Sequence, residues 1–555
     1  MLCCFYTCLL ISALVAHVDF FTFAKVQLLW IFAYLCKLFQ SISVISMLRK
    51  LRSIAAVVCF LALTAMFLDF SGVLHHYFGW IAKMQFFPAV MAGNFIVVGF
   101  VLLVTLLFGR FYCSIMCPLG VMQDGFNFVA RKVKKGRFHF IPENRWVRYP
   151  LFVAFIVLVL FGLNTIAILI APYSAYGRIA TNLLQPVYVW INNLLAGIAE
   201  RHESYAFYHV DVWVKSGTSL VVAVATLVVV GFLAVRRGRT WCSTVCPVGT
   251  VLGLVSRFSL FKPVIDADQC KNCRQCERNC KASCIDIANH RIDYSRCVAC
   301  MDCLDNCKFG ALEYRNSHFR INPTIGAVPE GRIDSGDAKD LVDESKRKFL
   351  ATSAMVAGAA MLSAQEKKVD GGLAVVQDKQ IPHRDLPLKP AGSQSLKNFS
   401  DRCTGCQLCV SECPNQVLRP SDKLESLMQP EMSFERGFCR PECTRCSEVC
   451  PAGAIRPVTR EEKTNIHIGF AVVVPDNCLP YRDGVQCGNC ARHCPAEAIL
   501  MVPKDKSANP DDPNTIKIPA VNTDKCIGCG ACEYLCPSRP FSAIYVNGRE
   551  KHLVG

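Results

Sequence analysis

The sequence predicts an α-helical membrane domain of four core helices, followed by small α+β domains folded around cysteine loops. Three observations carry the prediction. Apolar runs at about 54–70, 86–108, 150–172 and 218–235 are each near the ~20 residues that cross a bilayer. The pattern C-x2-C-x2-C-x3-C then occurs twice between Cys270 and Cys307. Four more runs of the same kind follow in 401–555.

A chain of 555 residues is too long for one ordinary domain. Its 34 cysteines do not indicate a disulfide scaffold, which belongs to short secreted chains. The 52% hydrophobic content is concentrated in the first half. A net charge of +16 suggests nucleic acid at first sight. Much of it, however, lies in short loops between apolar runs, where it fixes membrane orientation, so no nucleic-acid partner is expected.

The four runs define a membrane-spanning domain over 47–240. Arg49, Lys50, Arg52, Arg110, Arg131–Arg137, Arg145, Arg148, Arg236–Arg239, Arg257 and Lys262 fall on one side of it. The opposite loops carry only Lys83, Arg178, Arg201 and Lys215, so the first side is cytoplasmic. Residues 1–46 are an apolar extension, either two further helices or residues ahead of a true start at Met47. Cys3, Cys4, Cys8, Cys36 and Cys59 have no ligand spacing and read as apolar filler.

Three thiolates in a tight loop plus a fourth from elsewhere wrap a cubane iron–sulfur cluster, and in paired runs the fourth cysteine serves the other cluster. Zinc sites show two separated C-x2-C pairs instead. Over 241–320 the spacing therefore predicts two 4Fe–4S clusters in a cytoplasmic ferredoxin-like unit. Cys270, Cys273, Cys276 and Cys307 hold one, and Cys297, Cys300, Cys303 and Cys280 the other.

Two short motifs end the second and fourth apolar runs, Gly109-Arg110-x2-Cys113-x3-Cys117-Pro118 and Gly238-Arg239-x2-Cys242-x3-Cys246-Pro247. If these helix ends meet, four thiols converge at the membrane boundary, to bind another cluster, to form redox-active disulfides, or only to mark a helix terminus. The paired motifs, four helices and trailing ferredoxin unit resemble the NapH family, the membrane subunit of the periplasmic nitrate reductase quinol dehydrogenase. Related modules occur in nitrous-oxide-reductase regulators and cytochrome-oxidase assembly proteins. The resemblance covers about 47–315 and departs where Lys281 and Lys308 replace the usual prolines. Both lysines read as solvated surface, and Cys284 as a small core residue.

Residues 321–400 form a linker rich in Gly, Pro and charge. Within it, Ser345-Lys346-Arg347-Lys348-Phe349-Leu350 and the Ala-rich stretch to Ala364 resemble a twin-arginine export signal, with Lys346 replacing the first arginine. Such a segment starting on the cytoplasmic side delivers 401–555 to the outside. Cleavage after Ala364 would split the chain in two.

The last domain, 401–555, holds sixteen cysteines in four runs and predicts four clusters. Its first and fourth runs are regular, and the second and third have widened first gaps. That symmetry favours nested pairing: Cys403, Cys406, Cys409 with Cys536; Cys526, Cys529, Cys532 with Cys413; Cys439, Cys443, Cys446 with Cys494; and Cys478, Cys487, Cys490 with Cys450. Sequential pairing of neighbouring runs is the alternative. This half resembles the NapG family, the exported ferredoxin-type partner of the membrane subunit, so two neighbouring subunits read as fused.

No haem, dinucleotide or phosphate-loop motif is found, nor a nucleophile–base signature. The expectation is a membrane-bound electron carrier with six 4Fe–4S clusters. It would move electrons from quinol, or from a cytoplasmic donor, to an extracytoplasmic reductase or small carrier. Its chemistry would be that of a quinol dehydrogenase component, not a stand-alone catalyst. Quinone-site candidates on the outer loops are His75, His76, Tyr173, Tyr176, His202 and His209, although each also reads as an interfacial anchor. The alternative is a redox assembly or regulatory factor for a metalloenzyme.

Overall fold

The computed structural model describes residues 42–69, 72–134, 138–204, 206–316 and 377–555, apart from 506, 508, 510 and 511. Most of the N-terminal extension and the signal-like stretch at 345–364 lie outside the described residues, as do Cys3, Cys4, Cys8 and Cys36.

The first half is helical. Helix α1 (Ile42–Leu68) is followed by two short helices, α2 (Val73–Lys83) and α3 (Phe86–Ala92), and then by α4 (Phe95–Phe108). Helix α5 (Pro118–Lys134) leads to α6 (Arg145–Leu160), α7 (Asn164–Ile170), α8 (Pro172–Ile179) and α9 (Gln185–Arg201). The bundle closes with α10 (Gly217–Arg237) and α11 (Pro247–Ser256). Two helices are long and apolar enough to cross a membrane, Met47–Leu68 and Gly217–Arg237.

Two of the four expected spanning runs are interrupted. The run at 86–108 breaks between α3 and α4, where Gly93 takes a positive φ of 69° and the Asn94 side chain caps α4 by accepting the Val97 N–H. The run at 150–172 breaks after α6 at Gly162, with φ of 73°. Helices of 14 and 16 residues remain, about 21 and 24 Å long. Both fall short of a hydrocarbon core of about 30 Å. Apolarity is continuous through these breaks, so hydropathy alone does not reveal them.

The cysteine-rich half repeats one simple plan of strand, run, hairpin, run, strand. In the first unit, β1 (Phe261–Ile265) pairs antiparallel with β4 (Leu312–Asn316), enclosing the short hairpin β2–β3 (Ile285–Asp286, Arg291–Ile292). The last two runs follow the same order. Strand β7 (Ile466–Val473) pairs with β10 (Ile544–Val554), enclosing the hairpin β8–β9 (Ile499–Pro503, Lys517–Val521). A smaller hairpin, β5–β6 (Leu418–Pro420, Pro430–Met432), separates the first two runs of the last domain.

Helix α10 shows how the parts are arranged. At its start, the Ser216 hydroxyl caps the helix and donates to Asp422 of the last domain. Just past its end, the Arg239 N–H donates to the Lys281 carbonyl at 2.7 Å, in the first cysteine unit. Twenty-one residues of helix, about 31 Å, separate these joints, so the two cysteine-rich domains sit at opposite ends of the bundle. One continuous core links the bundle to the last domain, running through Leu63, Tyr112, Tyr173, Phe399, Cys406 and Phe434. The first cysteine unit has a separate core around Ile285, Leu304 and Tyr314.

Candidate iron–sulfur sites

The cysteine loops owe their shape to paired left-handed residues. Asn272 and Arg274 flank Cys273, Ala299 and Met301 flank Cys300, Gly405 and Gln407 flank Cys406, and Gly528 and Gly530 flank Cys529, all with positive φ. Alternating backbone handedness turns successive N–H groups into one concavity, an arrangement that suits anionic sulfur. The Gly405 N–H, for example, donates to Cys403 Sγ at 3.4 Å. The widened runs at Cys439 and Cys478 lack this flanking pair.

In the first unit the thiols gather as the spacing predicts. Cys270, Cys273, Cys276 and Cys307 line one small cavity. Cys280, Cys297, Cys300 and Cys303 line a second. Cys284 lines that second cavity too, with its Sγ 3.5 Å from Cys280 Sγ. Its thiol hydrogen-bonds hold Cys280 down to about 7 and lower Cys297, while Cys284 itself is pushed well up. A fifth thiol at the site was not legible, because one cysteine outside a run carries no spacing signal.

The last domain corrects the nested pairing. Cys450, rather than Cys536, lies within electrostatic reach of Cys403, Cys406 and Cys409. Cys413, rather than Cys494, accompanies Cys439, Cys443 and Cys446. Cys478, Cys487, Cys490 and Cys536 share one cavity. Cys494, Cys526, Cys529 and Cys532 share another. Neighbouring runs are thus paired in sequence. The physical reason is the clasp of β7 on β10, which closes the third and fourth runs into their own unit.

The two C-x3-C-P motifs do meet. Cys113, Cys117, Cys242 and Cys246 are all buried, at 3–4% exposure. The arginines cross over reciprocally: Arg110 donates to the Cys242 carbonyl at 2.9 Å, and Arg239 to the Cys113 carbonyl at 2.7 Å. A Cβ at Gly120 would collide with the Cys113 carbonyl, and one at Gly249 with that of Cys242, so glycine is required at both places. Further donors reach the thiols, with Gln123 Nε2 3.2 Å from Cys242 Sγ and the Gly249 N–H 3.3 Å from Cys246 Sγ. Arg110 is fully buried, and no carboxylate within ion-pair distance is found for it among the described residues. A buried cation without a counter-charge is costly, and an anionic group held by the four thiols would supply one. The site therefore fits a cubane.

Among the described residues, no three His, Cys, Asp or Glu side chains close on a single metal ion. Thiolates around a bulky cubane stand further apart than those around one tetrahedral ion with metal–sulfur bonds of about 2.3 Å.

Lys281 is not solvated surface. It is 8% exposed and ion-paired to Asp124 at 3.3 Å and Asp302 at 2.9 Å, tying α5 to the cluster loop. Lys308 is exposed, as expected. Of the quinone-site candidates, Tyr173 and Tyr176 are buried in α8 rather than in an outer loop, and the Tyr176 hydroxyl shares a hydrogen bond with Thr64. His202 is exposed, and His209 stands 3.5 Å from Glu200. His75 and His76 share a cavity wall on α2.

The family described as a 4Fe-4S binding domain matches residues 90–136 and 217–265, each spanning one C-x3-C-P motif. A 4Fe-4S dicluster domain matches 402–454 and 483–539, which groups the runs in the same sequential pairs. The methylamine utilization ferredoxin-type protein MauM of Methylobacillus flagellatus is 33% identical over 173 residues, covering 30% of this chain and 70% of that protein. The ferredoxin-type protein NapG of Haemophilus influenzae is 30% identical over 212 residues, or 36% of this chain and 70% of its own length. NapF of Escherichia coli, also ferredoxin-type, is 29% identical over 161 residues, covering 29% and 86%. No solved structure matches.

Proposed function

The chain belongs to the ferredoxin-type 4Fe–4S proteins, and on that premise we propose that it is a membrane-bound polyferredoxin that conducts electrons between the two ends of its helical bundle. Iron–sulfur electron transfer is the function its relatives imply. The further content of the proposal is the route. Six cubanes are held by the sequentially paired cysteines, and a seventh by Cys113, Cys117, Cys242 and Cys246. The membrane half corresponds to the NapH-type subunit and the last domain to NapG, fused in one chain.

One observation carries the reading: cluster sites lie at both ends of the bundle and thiols lie between them. Arg110 touches Cys113 Sγ at 3.8 Å and the Ser295 carbonyl at 3.1 Å, next to the Cys297 run. Tyr112 is next to Cys113 in sequence, and Tyr173 lies within electrostatic reach of Tyr112, Cys406 and Cys450. Tyr112, Cys113, Tyr173 and Cys406 belong to one packed core, so that part of the route crosses no solvent gap. With cofactors carrying the chemistry, the protein's part is to space them and tune their potentials.

The positive-charge bias supports a cytoplasmic Cys270–Cys307 unit, and the arrangement along α10 supports a multi-pass inner-membrane protein with 401–555 outside. Helices α4 and α6 complete the crossing together with the short helices beside them. Quinol supplies electrons at the outer end, and a cytoplasmic donor is the second source. An extracytoplasmic reductase or small carrier receives them. The test is iron and acid-labile sulfide analysis of the full chain, with about 28 irons expected for seven cubanes. Cys242→Ser/Cys246→Ser is expected to lose about four. An unchanged iron content in that variant overturns the seventh cluster, and clusters left oxidised by both a menaquinol analogue and a reduced flavodoxin overturn the conduction reading.

A further inference from the structure

Where α2 meets the last domain there is a cavity of about 410 Å³. Its helix wall includes His75, Trp80 and Lys83, and its ferredoxin wall Glu412, Arg445 and Glu448. The volume lies within the range of small-molecule sites. Glu412 is 1% exposed, yet neither carboxylate oxygen has a hydrogen-bond partner among the described residues. His75 Nδ1, on the facing wall, is likewise buried without a partner. Buried polar atoms left unpaired are costly, and both belong to residues that line one cavity, where a ligand would supply the missing donors.

The position of the cavity narrows the ligand class. Glu412 directly precedes Cys413, and Glu448 is two residues before Cys450, so the ferredoxin wall touches the ligand loops of two cluster sites. On α2, the lining residues Val73 and Trp80 are 58% and 57% exposed, giving the cavity an apolar rim on its helix side. Two carboxylates on the wall disfavour a phosphate, despite Lys83 and Arg445. A neutral, lipid-soluble molecule with two hydroxyl donors fits both the unpaired acceptors and the apolar rim.

We propose that this cavity binds the head group of a quinol, with Glu412 and His75 each accepting one of its hydroxyl hydrogen bonds. The inference rests on the quinol reading above and gives that reading its site. On oxidation both O–H bonds break. The two electrons would be taken singly, one by a cubane held by Cys439, Cys443, Cys446 and Cys413, and one by a cubane held by Cys403, Cys406, Cys409 and Cys450. Both protons leave through the polar wall to the aqueous phase at that end, and the quinol becomes quinone.

The test uses the cluster-loaded full chain in lipid nanodiscs and heptyl-hydroxyquinoline N-oxide, a quinol analogue whose fluorescence is quenched on binding. Saturable quenching is expected for the wild type. Glu412→Gln and His75→Gln should each weaken it roughly ten- to a hundred-fold, the worth of one buried hydrogen bond to a charged or desolvated acceptor. His383→Ala, at an exposed residue outside the cavity, should leave it unchanged. Iron content and cluster absorbance report whether Glu412→Gln has disturbed the neighbouring loop, and if it has, His75→Gln decides. Wild-type binding that survives both substitutions overturns the site but leaves the quinol reading standing. A tightly held anionic phospholipid that displaces the probe also overturns the site. Absence of probe binding, together with clusters left oxidised by a menaquinol analogue, removes the quinol reading itself.

Discussion

Replacing Asp124 by Asn tests the joint between the bundle and the first ferredoxin unit. The carboxylate accepts Arg239 Nε at 2.7 Å and Lys281 Nζ at 3.3 Å. Arg239 is 0% exposed and Lys281 8%. Removing one partner of a buried ion pair leaves uncompensated charge, at about 3–5 kcal/mol. The titration of the carboxyl gives a second measure. Burial alone would raise it, but Arg239 and Lys281 hold Asp124 at about 2, below the ordinary 3.8. That difference is worth about 2 kcal/mol. Because the folded value is depressed, the stability is fully present above pH 3.8 and is lost as pH falls towards 2. The two figures agree in scale, so Asp124→Asn should cost about 2–4 kcal/mol at neutral pH. The assay is denaturant unfolding of the full chain in micelles, followed by cluster absorbance, with hydrogen exchange across 278–283. In a double-mutant cycle Lys281→Met should couple to it by about 1–2 kcal/mol. A cost under about 0.5 kcal/mol, or strict additivity with Lys281→Met, would refute the joint.

Three further outcomes are expected. Cys450→Ser and Cys403→Ser should remove the same cubane, so the double variant loses no more than the same four or so irons. Under nested pairing Cys450→Ser would instead group with Cys478→Ser. Cys284→Ala should keep full iron and Cys280→Ser most of it, because Cys284 lies 3.5 Å from Cys280 and can take its place. Only Cys280→Ser/Cys284→Ala should lose that cluster's spectroscopic signal. His552 is pushed down from 6.5 to about 4 by burial, and both ring nitrogens lack partners among the described residues. Its unfolded form binds the proton more readily, so stability falls as pH drops from 6.5 towards 4, by about 2 kcal/mol after allowing for partial exposure. His552→Gln should flatten that slope in urea titrations, and an unchanged slope would discard the assignment.

The sequence was most informative where chemistry constrains neighbours. Cluster loops need their thiols at fixed intervals, and so the grouping of Cys270, Cys273, Cys276 and Cys307, and of Cys297, Cys300, Cys303 and Cys280, was legible. It failed where the deciding contact is remote. Run spacing carries no record that β7 pairs with β10, and the symmetry of regular and widened runs pointed to the wrong partners. Hydropathy ran straight across Gly93 and Gly162, because a helix break in an apolar stretch changes backbone handedness and not polarity. Lys281 read as surface because lysine is seldom buried, and the Asp124 and Asp302 that make burial tolerable lie on other elements. The convergence of Cys113, Cys117, Cys242 and Cys246 was conditional on two helix ends meeting, and the crossed Arg110 and Arg239 contacts meet that condition.

If quinol delivers electrons beside Cys413 and Cys450, they already stand at the outer end, and no outward transfer needs the four-thiol group or the Cys270–Cys307 unit. Those parts nevertheless form a buried path from the opposite end. The economical account is two inputs, one membrane-soluble and one cytoplasmic, meeting on the clusters of the last domain. The account separates cleanly in experiment. Cys242→Ser/Cys246→Ser should abolish reduction of the last domain's clusters by a reduced flavodoxin supplied at the Cys270–Cys307 end, while a menaquinol analogue still reduces them at the wild-type rate. A cluster held by the four thiols would make that loss large, because without it tunnelling has to cross the bundle in one step. Equal loss of both inputs would mean that quinol is oxidised on the inner side of the four thiols, and the cavity on α2 would then serve another purpose.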